Sequence, residues 1–339
     1  MTEAWREEIR HWASDAAQSF ANQPGIVGVV IGGSIARGQE WRHSDLELGV
    51  LVEERRPDLP YFNIFRRRGV EAIQLVRSEL ETQIAQVAQG NLAPLEHWPI
   101  QLYACRVISD PSGTLRRFKA VFDANLFLPQ IVAGKLATSQ EKINEHLSHA
   151  RALLTLNRPR QAVTVARVAM NEAILSLHWA HNTLPRSQSR TDSRLHQLCR
   201  RHDRMGFYAL YREVFGLANL RKAIKIHWPR VKQAALEIPR LWGGDSARDF
   251  FDFAVDGNFQ WRQNAGILTV YRLYIPILGG AEKGIGEKLD DPAWAGANQD
   301  MLQFLGLAEI DARAAAHLIT CVETAQTIIR HDASASEVR

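Results

Sequence analysis

Two short apolar runs, one on each side of a polar segment that contains glycine, most constrain how this chain folds. "IVGVVI" at 26–31 and "LELGVLV" at 46–52 are rich in aliphatic and β-branched residues and have the length of buried strands. Between them, "GGSIARGQEWRHSD" carries the glycines, serines and charges that are typical of a loop. The pattern predicts two strands of one sheet whose connection places polar groups at the strand ends.

The other elements of the first part of the chain alternate between helix and strand. Apolar residues spaced three and four apart predict a helix over 3–22. "GVEAIQLV" (69–76) predicts a third strand, Ser78 begins a helix that continues to about residue 89, and "IQLYACRVI" (100–108) predicts a fourth strand. Strands and helices therefore mix through about the first 125 residues, which predicts an α+β domain with helices flanking a mixed sheet.

Helical periodicity dominates the remainder of the chain. Thr138 and Glu141 have the spacing of a capping box, which predicts a helix over 138–156. A long helix follows from Pro159, and residues 296–330 repeat the helical spacing. We therefore predict a mixed domain at 1–128, an all-helical domain at 129–331 and a disordered tail at 332–339.

Charge and cysteine content narrow the class of protein. The chain has 41 basic against 37 acidic residues, a net charge of +4, which suits a phosphate-bearing ligand. This charge is too small to indicate a nucleic-acid partner by itself, and we expect none. The 3 cysteines form no Cys-x-x-Cys pair. The N-terminal residues lack the apolar region of a secretory signal, and no stretch reaches the ~18–20 apolar residues of a membrane span. We expect a cytoplasmic protein without a membrane partner, of unknown oligomeric state.

Asp45 and Glu47 are the strongest candidates for chemistry. They are two residues apart where the second strand begins, so alternation places both carboxylates on one face and Leu46 and Leu48 on the other. Neighbouring carboxylates repel each other unless a cation binds between them, and Mg²⁺ prefers oxygen ligands and bridges to phosphates. The pair therefore predicts a magnesium site, although an exposed strand face is the alternative.

Gly32, Gly33 and Ser34 supply the second half of that site. The glycines allow close approach of a phosphate to the backbone, and Ser34 adds a hydroxyl at an expected helix start. Each motif alone is weak, but their combination directly after a buried strand predicts a phosphate cradle next to a metal ligand pair.

The combined pattern resembles the signature of the nucleotidyltransferase superfamily, which has a fold like that of DNA polymerase beta. "GGSIARG" is similar to the Gly-Ser-x-Ala-x-Gly form of the aminoglycoside and lincosamide adenylyltransferases and related small-substrate enzymes. "SDLEL" is similar to their Ser-Asp-[Leu/Ile]-Asp-Leu strand, with Glu47 in place of the commoner aspartate. The resemblance covers about the first 125 residues and is looser beyond them.

The resemblance implies roles for further residues. A third carboxylate on a later strand acts as general base or metal ligand, and Glu71 is our candidate, ahead of Glu79 and Glu81 on the following helix. The residues implied to contact the nucleotide are Gly32, Gly33, Ser34, Arg37, Ser44 and Arg186. The alternative for Arg37 is that it is an ordinary surface residue that does not contact phosphate. Arg186 is inferred only from its position after Pro185.

These features imply an enzyme that uses Mg²⁺ to transfer a nucleoside monophosphate, AMP from ATP or the equivalent from another triphosphate, to a hydroxyl. The acceptor is a small molecule, for which an antibiotic is one option. The first alternative is toxin-like modification of a protein or an RNA end, which the basic segment 190–242, with 12 Lys and Arg against 4 Asp and Glu, mildly favours. The second is a non-catalytic descendant that only binds a nucleotide.

Overall fold

A computed structural model describes residues 4–184, 190–260, 264–278 and 285–337 of the chain. It contains one five-stranded mixed sheet and a helical C-terminal region, so the predicted α+β class is confirmed. Every strand within the described residues ends before residue 110. Among the described residues, no helix combines the length and the apolar character needed to cross a membrane.

The sheet has the spatial order β3-β4-β2-β1-β5. β1 pairs antiparallel with both β2 and β5, β2 pairs parallel with β4, and β3 is antiparallel to β4. Leu46, Leu48, Val50 and Val52 face the core with Ile31 and Val70, which fixes the register of the central strands. The strands are β1 Ile26–Ile31, β2 Leu46–Val52, β3 Phe62–Phe65, β4 Arg68–Val76 and β5 Arg106–Ser109.

Helices make up most of the other described residues. Within the strand-containing part they are α1 Ala4–Ala21, α2 Gly33–Ala36, α3 Arg77–Ala88, α4 Pro94–His97 and α5 Thr114–Asn125. The following long helices are α6 Pro129–Thr155 and α7 Pro159–Ala180. The remaining ones are α8 Thr191–Arg201, α9 Met205–Val214, α10 Leu220–Lys222, α11 Trp228–Gln260, α12 Asn264–Leu278, α13 Pro292–Ala297, α14 Gln299–Leu305 and α15 Ala312–Glu337.

Two predicted elements were wrong in their extent. The strand predicted over 100–108 is a 3₁₀ turn at Ile100–Leu102 followed by β5, because Ala104 adopts a left-handed φ of 54° that interrupts an extended chain. The helix predicted from Thr138 begins at Pro129, and the capping-box residues lie inside it. The fixed φ of proline suits the first turn of a helix, which places the start at Pro129 instead.

The chain divides into two compact units. The strand unit comprises Met1–Val132 and Gly243–Gly257, and the helical unit comprises Ala133–Trp242 and Asn258–Arg339. The later segment of the strand unit belongs to α11, whose helical path is interrupted at Gly243 and Gly244, and its Phe250 packs on Phe62 of β3. α15 continues to Glu337, into the segment for which the sequence predicts disorder.

Candidate active site

The N-terminal ends of the parallel strands β2 and β4 bring together two of the predicted carboxylates. Glu47 and Glu71 are direct register partners, so both side chains project from the same face of neighbouring strands. Asp45 immediately precedes β2, and its charge acts on both glutamates. We call Asp45, Glu47 and Glu71 the carboxylate cluster. The β2–β4 register therefore brings together the two segments that the sequence singles out.

The backbone that follows β1 packs closely against Glu47. The backbone N–H of Gly32 donates to the Glu47 carbonyl at 2.7 Å, which continues the β1–β2 ladder past Ile31. Gly33 has a φ of +61°, and a Cβ placed there would lie 1.7 Å from Glu47 Oε2. Glycine is therefore required at residue 33 both by the left-handed backbone and by the carboxylate that lies where a side chain would be.

Burial dominates the electrostatics of the cluster. It raises the pKa of Glu47 well above its usual range, the charges of Asp45 and Glu71 raise it further, and Arg37 opposes them. Burial, followed by the charge of Asp45, raises the pKa of Glu71 to about 8, while a hydrogen bond from Tyr61 lowers it. The surroundings thus disfavour the charged forms of Glu47 and Glu71, and a bound cation would favour them.

Glu47 also has an unsatisfied oxygen. Among the described residues, its Oε2 is buried and has no hydrogen-bond partner. A buried polar atom without a partner costs about 1–3 kcal/mol and calls for an explanation, such as a ligand or ion that the protein binds. The oxygen-only donors, this unsatisfied atom and the concentration of negative charge suit the chemistry of a hard divalent cation such as Mg²⁺.

Arg37 and the two serines line the loop that leads to the cluster. Arg37 donates from Nη1 to the Tyr103 carbonyl at 3.3 Å, and its Nε is buried without a hydrogen-bond partner in the described part of the chain. Burial lowers the pKa of Arg37, whereas the charge of Glu47 raises it. The Ser34 and Ser44 hydroxyls lie 3.2 Å apart, and Ser44 also accepts from the Trp41 N–H.

The remaining predicted positions divide into two groups. Arg186 lies outside the described residues. Glu79 and Glu81 are on α3, where Glu79 pairs with Arg55 at 3.6 Å and Glu81 accepts from the Thr114 hydroxyl at 2.6 Å. Both alternatives to Glu71 therefore lie on a helix and make other contacts, whereas Glu71 lies on the strand next to that of Glu47.

Tyr61 is the residue of this site that sequence reasoning missed. Its hydroxyl donates to Glu71 Oε2 at 2.9 Å. Tyr61 immediately precedes β3, which pairs antiparallel with β4 and places Phe62 opposite Glu71. The aromatic and β-branched residues of "YFNIF" favour a strand, but only the register with β4 shows that Tyr61 lies near the carboxylate.

The comparisons with known proteins give little beyond this geometry. No protein-family model matches the sequence, and no curated protein matches it. Among solved structures, the chain is similar to a nucleotidyltransferase-like protein from Exiguobacterium sibiricum, at 12% sequence identity. The likeness covers 87% of this chain and 89% of that one, with a TM-score of 0.31, a value too low to establish an activity.

Proposed function

We propose that this protein transfers a nucleoside monophosphate from a nucleoside triphosphate, such as ATP, to a hydroxyl group of a small-molecule acceptor. The observation that carries the proposal is the carboxylate cluster, in which register pairing sets Glu47 beside Glu71 while Glu47 Oε2 stays buried without a partner among the described residues. The sequence motifs that surround the cluster support the same reaction class.

Asp45 and Glu47 would hold the metal, and Glu71 is a base or a third ligand. Mg²⁺, when bound there, would supply positive charge that keeps the carboxylates ionised and neutralises the triphosphate. An unsatisfied oxygen on Glu47 suits a metal ligand. The Tyr61 hydrogen bond occupies Oε2 of Glu71 and orients the carboxylate, which suits a positioned base.

Few residues of the chain take part directly in the proposed reaction. Glu71 accepts the proton of the acceptor hydroxyl, whose oxygen attacks the α-phosphorus of the triphosphate. A bond forms between that oxygen and phosphorus, the bond from the α-phosphorus to the bridging oxygen breaks, and pyrophosphate leaves with the electron pair. Ser34, Ser44 and Arg37 would contribute hydrogen-bond donors to the phosphates, and a donor without a partner among the described residues, Arg37 Nε, supports that role for Arg37.

The test uses ATP labelled at two different positions. The protein is incubated with Mg²⁺, a panel of antibiotics and metabolites, and a cell extract, once with an α-phosphate label and once with a γ-phosphate label. Nucleotidyl transfer moves only the α label onto a small acceptor and releases labelled pyrophosphate in the γ experiment. Transfer of the γ label would instead indicate a kinase and contradict the proposal.

The same experiment separates the alternatives. Label on a protein or RNA fraction would replace the small-molecule acceptor with a macromolecular one. Metal-dependent binding of ATP without any transfer would indicate the non-catalytic alternative. Asp45→Asn is the inactive control, and Glu53→Gln is the matched one, because Glu53 follows the opposite end of β2 and pairs with Arg77 at the surface.

A further inference from the structure

A second group of potential metal ligands lies in the helical unit. Glu213 is on α9, and His317 and Cys321 are on α15, which packs against α9. The spacing of four residues places the histidine and cysteine on one face of α15, and Glu213 approaches that face from the neighbouring helix. One candidate ligand atom from each side chain lies within 4.8 Å of the other two.

We propose that Glu213, His317 and Cys321 form a binding site for Zn²⁺. The site is separate from the carboxylate cluster and does not depend on the proposed reaction. Its donors are a carboxylate oxygen, an imidazole nitrogen and a thiolate sulfur, the three ligand types that zinc takes in proteins. The sulfur and nitrogen disfavour Mg²⁺ and Ca²⁺, which bind oxygen ligands.

The distances fit a tetrahedral ion. Zinc bonds of about 2.3 Å to sulfur and about 2.0–2.1 Å to nitrogen place those two atoms about 3.5 Å apart at a tetrahedral angle. Cys321 Sγ and His317 Nε2 lie 3.7 Å apart. Glu213 Oε1 lies 2.7 Å from the same nitrogen, a hydrogen-bond distance that must lengthen by about 0.7 Å when an ion replaces the shared proton.

The solvent exposure of two of the three side chains allows the distance between Glu213 and His317 to lengthen. The side chains of Glu213 and His317 are 50% and 61% exposed, so both can rotate and an ion can reach them from solvent. Cys321 is buried beneath them and supplies the inner ligand. Three protein ligands leave one tetrahedral position open for water or another small ligand, as in zinc sites that are not purely structural.

Binding at this site has two physical consequences. Burial, and then the nearby Glu213, raises the pKa of Cys321 to about 11, so zinc displaces a proton from the thiol when it binds. The ion would also link α9 to α15, two helices that are far apart in sequence. Because the unfolded chain lacks this arrangement, zinc should stabilise the folded helical unit.

The test is a Co²⁺ titration of the full-length protein, followed by displacement with Zn²⁺. A cobalt–thiolate bond produces a charge-transfer band in the near ultraviolet, which the oxygen ligands of the carboxylate cluster cannot produce. We expect this band in the unmodified protein, one ion per chain by that signal, and its loss when Zn²⁺ is added.

Variants assign the band to the three residues. Cys321→Ala should abolish it, and His317→Gln, which changes an exposed side chain and should fold normally, should weaken affinity by more than the ~10–100-fold that loss of an outer-shell partner costs. Cys199→Ala is the matched control, because Cys199 is also buried but lies on α8. Absence of the band in the unmodified protein, its persistence in Cys321→Ala, or unchanged affinity in His317→Gln would overturn the proposal.

Discussion

Each unit contains a group of buried or partly buried charged side chains whose hydrogen bonding can be compared, the carboxylate cluster in the strand unit and a pair of arginines in the helical unit. In the strand unit, Glu47 keeps a buried oxygen without a hydrogen-bond partner among the described residues, and Asp45 and Glu71 add like charge. In the helical unit, Arg167 and Arg272 are almost completely buried and donate to backbone carbonyls. The Glu47 oxygen therefore lacks a hydrogen-bond partner within the described residues, whereas the two guanidinium groups donate to backbone carbonyls.

The arginines sit where helices end. Arg167 donates to the carbonyls of Val214, Leu305 and Gly306 at 3.0, 2.8 and 3.3 Å. These acceptors belong to the C-terminal ends of α9 and α14, where carbonyls lack intrahelical partners and the helix dipole favours a positive charge.

Arg272 completes the same junction. It donates to the carbonyls of Phe304, Phe215 and Gly216 at 2.9, 2.6 and 2.6 Å. Gly216 and Gly306 both have left-handed backbones, and a Cβ at Gly306 would lie 3.0 Å from the guanidinium carbon of Arg272. The junction thus gives both buried guanidinium groups backbone acceptors, which is why we expect these arginines to contribute to stability.

The largest expected effect is the loss of transfer when the cluster loses a carboxylate. Asp45→Asn and Glu47→Gln should each reduce nucleotide transfer to background, because the metal then has too few anionic ligands. Without metal, the free energy of unfolding should be unchanged or slightly higher, since like-charge repulsion is relieved. Turnover assays and denaturant titrations measure the two effects, with Glu53→Gln as the control. Full turnover by either variant would remove that residue from the site.

Glu71→Gln should have the next largest effect. Loss of a positioned base lowers the rate by ~10²–10⁴-fold, while the near-isosteric glutamine should preserve the pairing of β4. Calorimetric titration with ATP and Mg²⁺ should show unchanged affinity if Glu71 is the base. A parallel loss of affinity would make it a metal ligand instead. If both quantities match the unmodified protein, Glu71 is an ordinary strand residue.

Arg167→Met and Arg272→Met test the other half of the comparison. Each should lower the free energy of unfolding by at least about 3 kcal/mol, because several charge-assisted hydrogen bonds are lost and buried carbonyls stay unsatisfied. Denaturant unfolding measures this effect. Arg151→Met is the matched control and should cost no more than about 1 kcal/mol, since Arg151 is 58% exposed and pairs with Glu323 at the surface. Equal effects of buried and exposed variants would contradict the assigned structural role.

The smallest expected difference is between two glycine substitutions. Gly33→Ala and Gly113→Ala should each cost about 1–2 kcal/mol for an alanine in a left-handed backbone, with φ of +61° and +73°. Only Gly33→Ala places a methyl group against the Glu47 carboxylate, since nothing lies within 4 Å of a Cβ at Gly113. Gly33→Ala should therefore also reduce transfer, and Gly113→Ala should not. Comparable activity in both would show that Glu47 can move away without consequence.

Local sequence patterns predicted the central strands and the candidate chemistry because both depend on neighbouring residues. β1 and β2 follow from aliphatic runs, and the Asp45–Glu47 spacing follows from strand alternation. The placement of Glu71 beside Glu47 needed the parallel register, which joins residues far apart in the chain. The family resemblance, rather than any local pattern, singled out Glu71.

The features that the sequence patterns did not predict depend on contacts between residues far apart in the chain. Tyr61 meets Glu71 only through the β3–β4 register, and the acceptors of Arg167 lie 47 to 139 residues away. Similarly, Glu213 and His317 are 104 residues apart, so no sequence spacing indicates their contact. The 3₁₀ turn before β5 was missed because Ala104 is an unusual residue for a left-handed backbone.

The most direct test of the account is whether the carboxylate cluster binds a divalent cation. Mn²⁺, which binds oxygen ligands as Mg²⁺ does, can be followed by the loss of its free-ion electron paramagnetic resonance signal on titration with protein. We predict that the unmodified protein and Arg151→Met bind Mn²⁺, that excess Mg²⁺ displaces it, and that the double variant Asp45→Asn, Glu47→Gln does not bind it. Equal Mn²⁺ binding by the double variant and the unmodified protein would contradict the account.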